Sequence, residues 1–167
     1  MRTMLRFLLV IGALSIVAVA WLWNSSSAQD WLFQKAIAAQ MQKPPAIQQF
    51  GGLKVFMCGT SSPLPAKGRA QACVAVLAGD SLYIVDAGAG SANVAASARL
   101  PFDRLEGVLL THFHSDHIAA LPEFNLNSWV AGRPSPLVVF GPEGVGEVVA
   151  GLNDAYRQDR NYRVLHH

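Results

Sequence analysis

The chain has 167 residues, which is enough for one globular domain, and 51% of them are hydrophobic while only 14% are charged. The formal net charge is +2, and the 13 Lys and Arg residues are spread along the chain. This composition argues against the concentrated basic surface of a nucleic-acid-binding module, so it predicts that nucleic acid is an unlikely partner.

The first 28 residues predict a segment that exports or anchors the chain. Arg2 and Arg6 precede the uncharged stretch 7–23, which is followed by small polar residues. This order is typical of a signal peptide. As a helix, the stretch would be about 26 Å long, slightly short of a membrane core of about 30 Å, and its length slightly favours a membrane anchor. Both interpretations place the later residues outside the cytoplasm, either membrane-anchored or secreted.

Cys58 and Cys73 are the two cysteines of the chain. In an oxidising compartment they could form a disulfide, and otherwise each is a small buried hydrophobic residue. The sequence does not fix the distance between them, so both alternatives remain open.

Residues 29–50 predict a helical spacer. Asp30 could cap a helix from about Trp31 to Gln42, and Pro44-Pro45 would end that helix. The remaining residues, 51–167, predict one globular region.

The first part of the globular region predicts strands and turns. A strand over 53–58 leads into a loop containing Gly59, Thr60, Ser61 and Ser62. This loop could present N–H groups and hydroxyls to an anionic ester, or it could be only a tight turn. Apolar runs at 72–78 and 81–85 predict a hairpin.

The later patterns predict helices over 91–99, over 121–131 and after Gly144, and strands over 107–110, 137–140 and 163–165. Five apolar residues of the helix after Gly144 repeat on one face and predict a buried side. They are Val145, Val148, Val149, Leu152 and Tyr156.

Asp86 directly follows the second strand of the predicted hairpin and precedes a glycine turn. A carboxylate in this position could cap the turn, or it could accept a hydrogen bond from a metal-binding histidine. The local pattern favours neither role.

The strongest chemical signal is a histidine cluster after an apolar run, Thr111-His112-Phe113-His114-Ser115-Asp116-His117. Imidazole and carboxylate groups suit Zn²⁺ and similar divalent ions. If the segment stays extended, His112 and His114 project to one side, because side chains alternate along an extended chain. Asp116 and His117 then turn away from that pair, so the spacing predicts two adjacent metal ions.

The order of these motifs resembles the metallo-β-lactamase superfamily. The motifs that carry the resemblance are Gly59-Thr60-Ser61-Ser62-Pro63-Leu64-Pro65, Tyr83-Ile84-Val85-Asp86-Ala87-Gly88, the histidine cluster, and Phe140-Gly141-Pro142-Glu143-Gly144. Within that superfamily, the first and last motifs are similar to the branch containing ribonuclease Z and arylsulfatase-like hydrolases. The resemblance covers about Leu53 to His167 and implies an α/β fold, the αβ/βα sandwich with a dinuclear metal site at one edge.

The resemblance also implies roles for residues at matching positions. His112 and His114 would bind one divalent ion and Asp116 and His117 a second, most often zinc, with manganese or iron as alternatives. Asp116 would also orient the attacking water and accept its proton. Two residues would support the ligand loop without binding metal, namely Asp86 and Thr111.

The family takes further ligands from later in its chains, and here only His166 and His167 follow. Asp154 and Asp159 are more simply helix-surface charges. We therefore expect a truncated, first half of the sandwich that is weak or inactive by itself. The expected activity is metal-dependent hydrolysis of a phosphodiester, sulfate ester or lactone. The alternative is a non-catalytic, membrane-tethered metal-binding remnant, or a subunit completed by another chain, for which a homodimer is one form.

Overall fold

The computed structural model describes residues 2–41, 52–64 and 66–165. The chain divides into two compact units, Met1–Pro44 and Pro45–His167. The described part of the first unit forms helices α1 (Arg2–Asn24) and α2 (Ser26–Met41). The described part of the second unit forms a five-stranded sheet with helices. The predicted helix stop at Pro44-Pro45 and the terminal pair His166 and His167 lie outside the described residues.

The start of α2 differs from the prediction. The helix begins at Ser26 rather than Trp31, so Asp30 lies within it and does not cap it. Ser25 takes the capping role instead, because its Oγ accepts a hydrogen bond from the N–H of Ala28 at 3.3 Å.

Several apolar side chains of α1 are exposed, among them Phe7, Leu14 and Trp23. Within the part of the chain that the structure describes, however, no helix combines the length and the apolarity that crossing a bilayer requires. The membrane anchor predicted for residues 7–23 is therefore not supported.

The sheet of the second unit has its strands in chain order. The strands are β1 (Leu53–Gly59), β2 (Cys73–Ala78), β3 (Ser81–Val85), β4 (Leu105–Leu109) and β5 (Val138–Phe140). Neighbouring strands are antiparallel from β1 to β3, which confirms the predicted hairpin, and parallel from β3 to β5. The carboxyl ends of β3, β4 and β5 therefore meet at one edge of the sheet, where α/β proteins usually build their sites.

Helices connect the parallel strands and follow the last one. They are α3 (Ser91–Ser97), a short 3₁₀ helix (Phe102–Arg104), α4 (Ser115–Ile118), α5 (Leu121–Val130), α6 (Val145–Ala155) and α7 (Arg157–Leu165). The core lies between the helices and one face of the sheet, where Leu82, Ile84, Val108 and Phe124 are fully buried. The ring of Phe102 stacks on that of Phe124 with centroids 5.8 Å apart, which fixes α5 against the sheet.

The other face of the sheet is apolar and open to solvent. The register aligns Val55 with Val76, Val85 with Leu109, and Leu109 with Phe140 on this face. Six of its large side chains are between 38% and 67% exposed, namely Leu53, Val55, Met57, Leu109, Val138 and Phe140. Monomeric soluble proteins seldom expose a contiguous apolar surface of this kind, so the open face is suited to a covering layer.

The cysteine alternative is decided in favour of the disulfide. Cys58 and Cys73 are bonded, with their Cα atoms 5.0 Å apart, and both are buried. They lie where β1 and β2 meet at a register shift between Met57 and Gly59.

One prediction for the last helices is wrong, and another is confirmed only in part. Residues 163–165 belong to α7 rather than to a strand, and the Asp159–Arg163 ion pair, 2.9 Å long and one helical turn apart, favours that helix. On the predicted apolar face of α6, Val145, Val149 and Leu152 pack against the core, but the face is only half-buried and Tyr156 is 47% exposed. Val149, Leu152 and Tyr156 line a groove of about 480 Å³ between α5, β5, α6 and α7.

The open sheet face leads to a prediction about dye binding. We expect the purified chain to enhance the fluorescence of an anilinonaphthalene sulfonate dye, because such dyes bind exposed apolar surface. The double variant Val55→Thr/Val138→Thr should reduce that signal. Val94→Thr on α3, a residue that is also partly exposed, serves as the matched control and should leave it unchanged. Equal signals from all three proteins would show that this face is already covered in solution.

Candidate metal centre

The predicted metal-binding residues lie together at the carboxyl ends of β3 and β4. Asp86 directly follows β3, and His112 and His114 lie in the segment between β4 and α4. Asp116 and His117 are on α4, the short helix that begins at Ser115. The parallel arrangement of β3 and β4 brings these segments to the same edge.

Asp86 links the ends of the two strands. Its backbone is in the left-handed region, with φ of 59°, and its N–H donates to the carbonyl of Leu109 at 2.9 Å. Its carboxylate accepts hydrogen bonds from the backbone N–H of Thr111 at 2.8 Å and from the Thr111 hydroxyl at 2.9 Å. These bonds offset the cost of burying the charged group, which is only 7% exposed. Sequence left the role of Asp86 open, and the structure places it beside the histidine cluster.

The side chain of Thr111 contacts both Asp86 and His112. The Thr111 Oγ1 atom lies 3.0 Å from His112 Nδ1. Because the hydroxyl hydrogen is donated to Asp86, Oγ1 accepts from the imidazole, so the hydrogen of His112 resides on Nδ1. The lone pair of His112 is then on Nε2, which faces away from Thr111.

The donor atoms form two close pairs. His112 Nε2 lies 3.0 Å from His114 Nδ1, and Asp116 Oδ2 lies 3.4 Å from His117 Nε2. Two donors on one tetrahedral zinc ion, each bonded at about 2.0–2.1 Å, are about 3.3 Å apart. Both separations are close to that value. These separations are compatible with the predicted pairing of donors, and the pairing and metal binding both stay predictions.

His117 also contacts the carboxylate of Asp86. Its Nδ1 lies 2.8 Å from Asp86 Oδ2 but is buried without an aligned hydrogen bond, since the N–H direction misses the oxygen. A metal-bound histidine usually donates its second N–H to a carboxylate in this position. The buried Nδ1 beside this carboxylate therefore fits a histidine that would bind an ion through Nε2.

The two pairs adjoin each other. The rings of His112 and His117 have centroids 4.0 Å apart. Even so, within residues 2–41, 52–64 and 66–165 no group of three or more His, Cys, Asp or Glu side chains is placed to hold one ion. The donor atoms of these residues therefore group in pairs, whereas a zinc ion generally takes four ligands.

The predicted substrate loop is largely occupied by its own contacts. The N–H groups of Thr60 and Ser61 both donate to the carbonyl of Ala70, at 2.9 and 2.8 Å, and the Ser61 hydroxyl donates to the Leu64 carbonyl. Gly59 is buried against Gln71, whose backbone carbonyl oxygen would lie 1.6 Å from a Cβ added to the glycine. The exposed residues Thr60 and Ser62 remain the predicted contacts to a substrate.

Sequence reasoning gave no role to the backbone behind the ligands. Gly88 lies so close to α4 that an added Cβ would come within 2.1 Å of the Asp116 carbonyl oxygen. The N–H of Ala87 donates to the His117 carbonyl at 2.7 Å, and the N–H of Ala120 donates to the Ala87 carbonyl at 2.8 Å. Gly88, two residues after Asp86, is the sequence feature that could have predicted this contact, because a close approach of two backbones requires a residue without Cβ.

The acids considered as further ligands are paired with arginines of α7. Asp154 lies 3.6 Å from Arg157, and Asp159 bonds to Arg163 at 2.9 Å. The bond with Asp159 raises the pKa of Arg163 above its ordinary value, whereas burial lowers that of Arg133 in the neighbouring groove. These pairings agree with the interpretation of both acids as helix-surface charges.

Comparison with known proteins places these features in a family. The model of the metallo-beta-lactamase superfamily matches residues 66–160. Ribonuclease Z of Mycobacterium marinum is 41% identical over 118 residues, which are 69% of this chain and 42% of that protein. Ribonuclease Z of Mycobacterium bovis is 42% identical with the same coverage. The chain therefore spans less than half the length of these curated relatives.

Solved structures show the same fold. The metallo-beta-lactamase fold protein YhfI of Bacillus subtilis has a TM-score of 0.52 at 26% identity, over 60% of this chain and 40% of its own. The short form of human tRNase Z has a TM-score of 0.55 at 21% identity, over 62% of this chain and 39% of its own. Since the family model covers more than half of the chain and agrees with the mixed five-stranded sheet, the chain belongs to the metallo-β-lactamase superfamily.

Proposed function

We propose that this chain supplies the dinuclear metal centre of a hydrolase that cleaves phosphodiesters, with RNA as the favoured substrate class. The observation that carries the proposal is the pair of donor sets, His112 with His114 and Asp116 with His117, at the carboxyl ends of parallel strands. The relatives named ribonuclease Z favour a phosphodiester over a sulfate ester or a lactone. They also argue against the expectation, drawn from composition, that nucleic acid is an unlikely partner.

The roles of the chain's own residues follow from their contacts. His112 and His114 would hold one divalent ion and Asp116 and His117 the other, with zinc suited to both sets of donors. When bound, such ions polarise the ester and lower the pKa of water. The second carboxylate oxygen of Asp116 would orient the attacking water and hold its proton.

The open sheet face supports a second layer over the described half of the sandwich. A sheet that packs face to face on β1–β5 would bury its exposed apolar residues, as in other two-sheet proteins. We propose that this layer also brings further ligands to the ions. A longer form of the chain could supply this layer. Another copy of the chain could also supply it, and a homodimer is then the simplest assembly.

We further propose that the chain functions outside the cytoplasm. The basic start and the apolar stretch 7–23 support export, and the Cys58–Cys73 disulfide supports an oxidising compartment.

Metal content is the first test of the proposed centre. We expect the full chain to bind divalent metal, as measured by mass spectrometry of the native protein, because four donor groups converge. The double variant His112→Ala/His114→Ala should lose at least the first ion, whereas the control Asp154→Ala should keep both. Metal content that is unchanged in the double variant would contradict the assignment.

Turnover then separates a hydrolase from a non-catalytic metal-binding remnant. With an activated phosphodiester such as bis(p-nitrophenyl) phosphate, we expect weak activity from this chain that Asp116→Asn abolishes. Metal binding without any Asp116-dependent hydrolysis, even at high protein concentration, would favour the remnant.

Asp86→Asn tests whether the buried carboxylate orients the ligands. The amide keeps the size of the side chain but loses the charge that faces Thr111 and His117, so we expect metal affinity to fall about 10–100-fold. Asp103→Asn, on the 3₁₀ helix, is the matched control and should bind metal like the original chain. Affinity can be measured by competition with a zinc chelator, and equal affinities in the three proteins would exclude this role.

Cell fractionation tests the location. The full chain should be found outside the cytoplasm with Cys58 and Cys73 protected from thiol alkylation. Deletion of residues 1–28 should retain the protein inside the cell with both cysteines open to alkylation after unfolding. Export of the deleted form would contradict the proposal.

A further inference from the structure

The Cys58–Cys73 disulfide lies at the base of the loop that joins β1 to β2. The regular pairing of these strands ends there, because Met57 pairs with Val74 but Gly59 pairs with Cys73, which leaves Cys58 in a bulge. The covalent bond therefore holds the strands together at the point where their register changes.

The residues next to the disulfide are in close backbone contact with each other. An added Cβ on Gly59 would come 1.6 Å from the Gln71 oxygen, so the two chain segments touch directly. The N–H of Gln71 donates to the Ala89 carbonyl at 3.1 Å, and the N–H of Gly88 donates to the Ala72 carbonyl at 2.9 Å. The segment just before Cys73 is thus bonded to the turn that follows Asp86.

That turn is in contact with the ligand helix α4. Gly88 lies between Ala72 and Asp116, since an added Cβ would be 2.7 Å from the Ala72 nitrogen and 2.1 Å from the Asp116 oxygen. The neighbouring Ala87 donates its N–H to the carbonyl of His117 at 2.7 Å. Two backbone segments therefore connect the disulfide to Asp116 and His117. They are the residues just before Cys73 and the turn at Ala87 and Gly88.

The other donor pair is supported through Asp86, which also lies beside His117. His112 is held through Thr111 and Asp86, and within the described part of the chain this path runs through β3 and β4 rather than through the β1–β2 loop. Loosening the loop should therefore affect Asp116 and His117 more than His112 and His114.

We propose that the Cys58–Cys73 disulfide is a positioning element for the Asp116–His117 pair. It fixes the spacing between the β1–β2 loop and α4, and so the orientation of these two donors. The geometric part of the proposal stands without a metal, and its consequence for metal affinity rests on the proposed function.

Hydrogen exchange of the metal-free full chain tests the geometric part. In Cys58→Ala/Cys73→Ala, we expect the amides of Ala87 and Gly88 to exchange at least about tenfold faster by nuclear magnetic resonance, while those of Ile84 and Val108 change less. The control is Leu105→Ala, which opens the core at the far end of β4. It is compared at a temperature equally far below its own Tm.

The control separates positioning from a general loss of stability. A general loss would speed exchange of all four amides together, as in Leu105→Ala. If the double alanine variant follows that pattern, the proposal is overturned. Should that variant fail to fold, Cys58→Val/Cys73→Val, which refills the volume of the sulfur atoms, is measured in its place.

Zinc titration tests the consequence for the site. The disulfide-free variant should bind the second ion about 10–100-fold more weakly, as other losses of ligand support do, with the first ion less affected. Leu105→Ala should bind both ions like the original chain. Equal weakening of both ions would overturn the assignment to Asp116 and His117. If the original chain binds no zinc, the proposed function fails, and the exchange experiment still decides the geometric proposal.

Discussion

The site depends on the buried carboxylate of Asp86. This group is almost excluded from water, and it is stabilised by the backbone and hydroxyl hydrogens of Thr111. Its left-handed backbone is a strained conformation that asparagine and aspartate tolerate better than most residues. The same carboxylate reaches His112 through Thr111 and lies beside His117. One group therefore connects the ends of β3 and β4 and lies within reach of a histidine of each donor pair.

Close backbone packing supplies the second constraint. Gly88 brings the turn after β3 against α4, and Gly59 brings the end of β1 against the segment before β2. A side chain at either position would force apart segments whose separation sets the position of the ligands. The Cys58–Cys73 disulfide joins β1 and β2 next to these contacts, where the bulge in β1 interrupts the regular strand pairing.

The open face of the sheet bears both on the stability of the fold and on the number of ligands at the site. The helices bury one face, around Leu82, Ile84 and Phe124, while the opposite face keeps its apolar side chains in solvent. In the same described part of the chain, no three or more His, Cys, Asp or Glu side chains are grouped to hold one ion, while zinc generally takes four ligands. A second layer packed on this face could cover the apolar side chains of the strands. It could also bring further ligands to the same edge of the sheet.

The sequence by itself determined the local elements and the chemistry of the donors. Two neighbouring apolar runs predicted the β2–β3 hairpin, and the spacing of His112, His114, Asp116 and His117 predicts a division into two donor pairs that stays a prediction. Such patterns are local, because they depend on the two-residue period of a strand and on the donor atoms of each side chain. They were least reliable for short segments. Residues 163–165 lie in a helix in which Arg163 pairs with Asp159 one turn away, and Asp30 lies inside a helix that Ser25 already caps.

Only the tertiary structure decided which distant residues meet. The disulfide, the position of Asp86 beside Thr111 and His117, and the contact of Gly88 with Asp116 all join segments that are far apart in the chain. These contacts depend on strand order, register and the crossing of loops at the sheet edge, which no local periodicity encodes. The sequence therefore named the donors, and the fold determined how they are held.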